Sequence, residues 1–367
     1  MIIAGEASGD MRAAGLARAL KTLAPSIGLS GVGGQHMRDA GVDCFTDITE
    51  LAVIGIVEVL KNLGRIKKVF YDILQRVDAN KPDAVILVDY PGFNLRLARE
   101  LKKRGIKVIY YISPQVWAWK EGRVHLIKQV VDRMIVLFPF EADTYAKYGM
   151  KVDYVGHPLV DEVKINRNQD EILKSLGLSV HKTTIGLMPG SRAKEVQRHL
   201  PLMLDVAQKL FDNNHERQFI LLRASTIPLD LITQQMFLYK HLPLKIYDGS
   251  TYDGINAMNA AMVASGTATL ETALLKKPMV IIYKTSWLTY AIAKMVIKIP
   301  YIGLVNVVAG KKIVEEFIQN DANVHNVANG MESALHNQHL IDALEKIRTQ
   351  LGEGGASQRA AEIVLTV

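Results

Sequence analysis

The chain has 367 residues, enough for two domains and a sizeable core. Hydrophobic residues make up 49% and charged residues 22%, which excludes a disordered or fibrous protein. A single cysteine, Cys44, excludes a disulfide framework and a cysteine-cluster metal site, and fits a reducing compartment; the net charge of +7 suits an anionic partner such as a phosphate ester, a nucleotide or a membrane surface.

In chain order, residues 2–4 predict a short first strand rather than a signal sequence, because Gly5 and Glu6 follow at once. Gly5-Glu6-Ala7-Ser8-Gly9-Asp10 then leads into a helix over 12–23. Its glycines permit a tight turn, and the helix start offers free N–H groups to an anion. The same stretch also reads as a plain turn with Ser8 or Asp10 as a helix cap. A second strand is expected at 29–32. Residues 51–70 mix Ile54, Ile56, Val57, Val59, Leu60, Leu63 and Ile66 with Lys61, Arg65, Lys67 and Lys68. On a helix this pattern suits either a buried core element or a face resting in a bilayer interface, with Val57, Val59, Leu60, Leu63 and Ile66 toward the membrane.

Strands are expected at 84–89, 107–112, 133–137 and 152–155, with a helix at 95–104. Asp89 ends the first of these, where a carboxylate is placed either as a general base or as a helix cap. Trp117 and Trp119 follow the next strand and could stack on a base or sugar or pack underneath it. His157 is read as structural. Residues 157–182 are polar and read as a linker with a short helix. The rhythm then restarts with strands at 184–188, 218–222, 245–247, 261–264 and 279–282. Gly190-Ser191-Arg192 follows the first of these, where glycine, serine and a helix start can hold a phosphate and Arg192 can neutralise it. Ser265-Gly266-Thr267 follows the fourth. Glu271 lies one helical turn beyond Thr267 and could accept a ribose's hydroxyls or stand on the surface. Residues 287–308 combine Trp287, Tyr290 and Tyr301 with Lys294 and Lys298, a mixture that suits either a buried core helix or an interfacial position, but not a span. Asn306 either holds substrate or ties a loop. Beyond 309 the chain reads as helical, with Ser357 capping a last helix.

Apolar strands alternating with amphipathic helices imply parallel sheets covered on both faces: two doubly wound α/β domains. The expected division is 1–160, 161–345 and a C-terminal helical segment, 346–367, returning to the first domain. The scattered histidines and the absence of Asp-x-Asp suggest no metal site, and no cofactor is expected. No basic run with interleaved aromatics suggests nucleic acid.

GEASGD at 5–10, VDYPGFN at 88–94, SPQVWAWK at 113–120, VGHPLVD at 155–161, LMPGSRAKEV at 187–196 and SGTATLE at 265–271 occur in one order. In that series the chain resembles the lipid-A-disaccharide synthases over nearly its whole length. The resemblance implies a GT-B arrangement, with two Rossmann-like domains facing each other across a cleft. It implies inverting transfer of 2,3-diacylglucosamine from UDP-2,3-diacylglucosamine to the 6-hydroxyl of 2,3-diacylglucosamine 1-phosphate, releasing UDP. It further implies Asp89 as the base, Glu6, Ser8 and Gly9 on the acceptor side, and Arg192 against the leaving diphosphate. Gly190, Ser191, Ser265, Gly266 and Thr267 would hold phosphate, Glu271 the ribose, and Asn306 would lie near the reaction. Val305 stands where the family usually has proline. A peripheral protein on the cytoplasmic face of a bacterial inner membrane is implied, with a possible homodimer through the C-terminal region. Competing readings are another UDP-sugar transferase using undecaprenyl-linked acceptors, a UDP-sugar 2-epimerase, and a membrane-associated nucleotide-sugar sensor.

Overall fold

The structure, a computed structural model, describes residues 1–51, 63–119, 121–296 and 299–367. The chain divides into two compact units, Met1–Pro158 with Gly352–Val367, and Leu159–Leu351. In the first unit, β1 (Ile2–Ala4), β2 (Ser30–Gly33), β3 (Asp43–Asp47), β4 (Ala84–Val88), β5 (Lys107–Tyr111), β6 (Arg133–Val136) and β7 (Asp153–Tyr154) form one sheet. Its order is β3-β2-β1-β4-β5-β6-β7, and every pairing is parallel. In the second, β8 (Thr183–Met188), β9 (Arg217–Leu222), β10 (Leu244–Tyr247), β11 (Ala260–Ala264), β12 (Met279–Tyr283) and β13 (Glu316–Ile318) pair in the order β10-β9-β8-β11-β12-β13, again all parallel.

The apolar runs explain the central strands. Val85–Val88 of β4 and Ala260–Ala264 of β11 are buried throughout, as strands covered on both faces must be. The helices between them turn one apolar stripe inward, as Val69, Ile73, Leu74 and Val77 do on Leu63–Asn80. Strands β3 and β13 go unpredicted because both are short edge strands, half-buried or more open along their length (DCFTD and EFI), without an apolar run. Residues 157–182 hold two short helices, Leu159–Glu162 and Gln169–Ser175. The last helix, Ala356–Val364, is capped by Gly355 in the left-handed conformation. Ser357 therefore lies inside that helix, facing Gly15 of the helix Ala7–Leu23.

Both sheets reverse direction of winding at one point. In the first, β1 and β4 are neighbours whose following helices go to opposite faces; in the second, β8 and β11 are. In doubly wound sheets the crevice beyond the strand ends at such a point receives ligands. The loops there are Gly5–Asp10 and Asp89–Gly92 in the first unit, and Pro189–Arg192 and Ser265–Thr267 in the second.

Candidate active site

Asp89 directly follows β4 in the left-handed region, at φ +47°, and Tyr90 repeats that conformation at φ +47°. Two successive non-glycine residues there are strained, and three side chains hold them. Asn94, fully buried, donates through Nδ2 to the Val88 carbonyl at 3.2 Å and the Asp89 carbonyl at 2.8 Å. The Tyr110 hydroxyl donates to the same Asp89 oxygen at 2.6 Å. The Tyr90 hydroxyl reaches the Leu51 carbonyl at 3.0 Å, while its ring lies where any β-carbon on Gly5 would collide with it. Glycine at 5 is thus a packing requirement of the turn that presents Asp89. Next door, Ile112 closes β5 at φ +69°, a third strained residue at the same sheet edge.

The electrostatics follow from burial. Removal from water pushes the Asp89 carboxyl up to about 6, the charge of Glu6 adds to the rise, and the Tyr90 amide opposes it. Glu6 is half-buried, Ser8 is exposed and Gly9 is buried at the head of the helix Ala7–Leu23. Asp10 does not cap its own helix. Its carboxylate accepts the amides of Gly34 at 2.6 Å, His36 at 3.1 Å and Met37 at 3.2 Å, and so caps the helix Gln35–Asp39.

One carboxyl escaped the sequence reading. Glu141 is buried, accepts the Leu137 and Phe138 amides at 3.1 and 3.0 Å, and accepts the Trp117 indole N–H at 3.3 Å. Burial pushes it up to about 7 against those hydrogen bonds, with Asp89 contributing to the rise. The visible signal was a glutamate inside an apolar, aromatic segment, Leu137-Phe138-Pro139-Phe140-Glu141. Trp117 packs edge-on against Phe140 at 5.1 Å, while Trp119 is on the surface under the Arg123 guanidinium. His157 is buried against Phe138, and burial together with the Arg12 charge lowers it to about 3, so it is neutral at working pH.

In the second unit, Gly190 turns at φ +118° and exposed Ser191 leads to Arg192. Arg192 precedes the long helix Ala193–Asn213, remains half-exposed and pairs with Glu195 at 3.0 Å. Fully buried His199 anchors this loop from below. Its Nδ1–H donates to the Pro189 carbonyl at 2.9 Å, while Nε2 accepts the Lys284 amide at 2.9 Å. The amide requires a lone pair at Nε2, which fixes the neutral tautomer, and burial lowers the imidazole's affinity for a proton accordingly.

The second loop is tied differently. The Ser265 hydroxyl donates to the Ile302 carbonyl at 3.0 Å, so it serves the loop; Gly266 is half-buried, Thr267 exposed and Glu271 half-buried. Asn306 is fully buried, and its amide is used completely within the chain. Nδ2 donates to the Val314 carbonyl and Glu316 Oε1, both at 2.8 Å, and Oδ1 accepts the Ile313 and Val314 amides. With four bonds made, that side chain has no capacity left for a substrate, which corrects its expected place among the reacting groups. Glu316 also accepts the Ile302 and Gly303 amides, so Asn306 and Glu316 together set the segment that Ser265 grips. Val305 occupies the first turn of the helix Leu304–Ala309, where a proline would also fit.

Of the expected membrane-facing residues, Val57, Val59 and Leu60 lie outside the described residues. Leu63 is exposed. Ile66 is not outward: it packs against the core, on the same helical stripe as Val69, Phe70 and Ile73. Residues 287–308 split in two. The helix Trp287–Val296 leaves Trp287 75% and Met295 79% exposed, whereas Val305 and Val308 are buried. Among the described residues no helix is long and apolar enough to cross a membrane, and no three His, Cys, Asp or Glu gather as metal ligands.

A family model described as lipid-A-disaccharide synthetase matches residues 1–367. The lipid-A-disaccharide synthase of Geobacter sulfurreducens is 43% identical over 369 residues, covering 100% of this chain and 96% of that protein. That of Syntrophus aciditrophicus is 44% identical, covering 100% and 97%. Among solved structures, UDP-GlcNAc 2-epimerase from Neisseria meningitidis bound to UDP-GlcNAc aligns with a TM-score of 0.67 at 12% identity, covering 100% of this chain and 99% of that one. The calicheamicin glycosyltransferase CalG4 aligns with a TM-score of 0.65 at 11% identity, covering 100% and 96%.

Proposed function

The chain belongs to the lipid-A-disaccharide synthase family, and from that premise we propose how its residues divide the work of the transfer. It is a glycosyltransferase: 2,3-diacylglucosamine passes from UDP-2,3-diacylglucosamine to the 6-hydroxyl of 2,3-diacylglucosamine 1-phosphate. A β(1→6)-linked disaccharide 1-phosphate forms and UDP leaves. Fold likeness alone would not separate this from epimerisation, since both kinds of enzyme use the same two-sheet architecture.

In our reading, Asp89 takes the proton of the acceptor's 6-hydroxyl as that oxygen attacks the anomeric carbon. The bond to the diphosphate breaks on the opposite side, and UDP departs with its electrons. Glu6, Ser8 and Gly9 line the acceptor side in the first unit. In the second, Gly190 and Ser191 meet the diphosphate, Arg192 offsets its growing charge, the 265–267 loop holds phosphate and Glu271 the ribose. Asn306 is a positioning residue. One observation carries this assignment: the four loops named here sit beyond the two pairs of strands where the sheets change winding direction. The test is UDP release from the donor, in detergent and EDTA, with and without acceptor. Release that requires acceptor and yields disaccharide supports the reading. Acceptor-independent release, or a requirement for added magnesium, defeats it.

We also propose a peripheral position on the cytoplasmic face of a bacterial inner membrane. Both substrates carry acyl chains. The exposed Trp287 and Met295 stand within 272–314, a stretch with seven lysines and no acidic residue, which suits an anionic lipid surface. A homodimer exchanging the C-terminal segment is a further proposal, with oligomer size as its test. Its support is the self-contained seat of that segment on the helix Ala7–Leu23.

A further inference from the structure

The first unit carries a groove lined by none of the residues assigned above to the transfer. It encloses about 600 Å³ between the helices Leu63–Asn80 and Pro91–Lys103. Phe70 and Leu74 supply an apolar floor, and Phe70 is fixed there by an edge-on contact with Phe93 at 5.6 Å. Tyr71 stands on the rim, 66% exposed. Arg96 and Arg99, three residues apart and so neighbours on one helix face, line the opposite wall.

These two arginines make no ion pair or hydrogen bond among the described residues, although acids are close. Asp78 and Glu100 line the same groove, but Arg104 engages both and Lys103 engages Glu100. Two planar guanidinium forks therefore face the groove with their donors open, the group best matched to phosphate oxygens. A soluble phosphate needs only the forks. The wall opposite offers more: Leu63, Lys67 and Tyr71 follow at four-residue spacing along the groove's side of their helix, so an exposed apolar and basic strip leads into it. A ligand with acyl chains below a phosphate uses both features.

We propose that this groove seats the headgroup phosphate of an anionic phospholipid at a bilayer surface, with Arg96 and Arg99 on the phosphate and Leu63 and Tyr71 beside the chains. The inference rests on the membrane reading above and gives it a specific contact. Its test is co-sedimentation with vesicles of phosphatidylcholine alone and of phosphatidylcholine mixed with phosphatidylglycerol. The wild type binds the mixed vesicles more strongly. The double variant Arg96→Gln/Arg99→Gln loses about 10- to 30-fold on mixed vesicles, keeps its binding to phosphatidylcholine, and keeps UDP release in detergent. Lys147→Gln/Lys151→Gln removes the same charge from elsewhere on the unit and loses less than about threefold, as screened long-range attraction requires. Equal losses in the two double variants, or none in the arginine pair, overturn the groove and leave the membrane reading standing. Displacement from mixed vesicles by glycerol 3-phosphate in solution assigns the groove to a free phosphate ester and overturns it too. Failure of the wild type to bind either vesicle defeats the membrane reading first.

Discussion

Asp89 is costly to the fold, and the cost can be measured. Its carboxyl is raised to about 6 mainly by burial, so the folded chain holds this proton more tightly than the unfolded chain does. That stabilisation is complete below the ordinary aspartate value near 4 and is lost as pH rises through about 6. Asp89→Asn keeps the shape and removes the charge. We expect it to be more stable than wild type by about 1–2 kcal/mol at pH 8 and no more stable at pH 4, in denaturant melts at the two pH values. Turnover should fall about 10²- to 10⁴-fold, and in the wild type kcat/KM should climb through pH 6 to a plateau. Retained turnover in the asparagine variant would remove Asp89 as the base. Asn94→Ala removes one of the three side chains that hold the two strained residues and leaves the Val88 carbonyl without its Nδ2 donor. It should cost about 1–3 kcal/mol of stability and lower kcat at least tenfold, with KM for the donor little changed.

Single elements hold the loops by wiring that is invisible to pattern reading. His199 links the end of β8 to the segment after β12, and the link works only while the ring is neutral. Because its folded proton affinity is lowered, its contribution is present above the unfolded histidine value near 6.5 and lost as pH falls. His199→Ala should cost about 2–4 kcal/mol and raise KM for the donor about tenfold without matching loss of kcat, since the phosphate loop loses its anchor but the base does not move. The reverse split, kcat falling alone, would argue that His199 acts at the chemistry. Arg217 illustrates a purely structural tie: its guanidinium grips Glu332 at 2.6 Å through both nitrogens, fastening β9 to the helix Val324–His336.

For the whole molecule, the position of the C-terminal segment is the least local fact. Arg359 donates to the Val155 carbonyl at 2.6 and 3.0 Å and to the carbonyls of Glu353 and Gly354, while Ala356–Val364 packs on the helix Ala7–Leu23. Arg359→Ala should lower the melting temperature by several degrees with little change in KM for the donor, whose proposed ligands are all in the other unit. Trp287→Ser/Met295→Ser should weaken binding to anionic vesicles several-fold and spare turnover in detergent; unchanged partitioning would take that helix out of the membrane argument.

How much of this was legible beforehand depends on range. Apolar runs such as Val85–Val88, and glycine-bearing turns at their ends, are local signals. They sufficed for the two-sheet α/β class and for selecting Glu6, Asp89, Arg192 and Ser265 as loop residues. The edge strands β3 and β13 were missed because neither has a buried residue or an apolar run longer than two residues to mark it. Glu141, His199 and Asn306 took their roles from partners such as Trp117, Lys284 and Glu316 that sequence spacing does not bring together. Asn306 could hold substrate or tie a loop on sequence alone, and its four bonds within the chain decide for the loop. Ile66 looked outward because hydrophobicity does not specify direction, and only the packing of its helix turned it to the core. Composition and periodicity act residue by residue along the chain and so determine class and punctuation. Burial, strain and proton affinity depend on groups far apart in sequence, so they exist only once the sheets have formed.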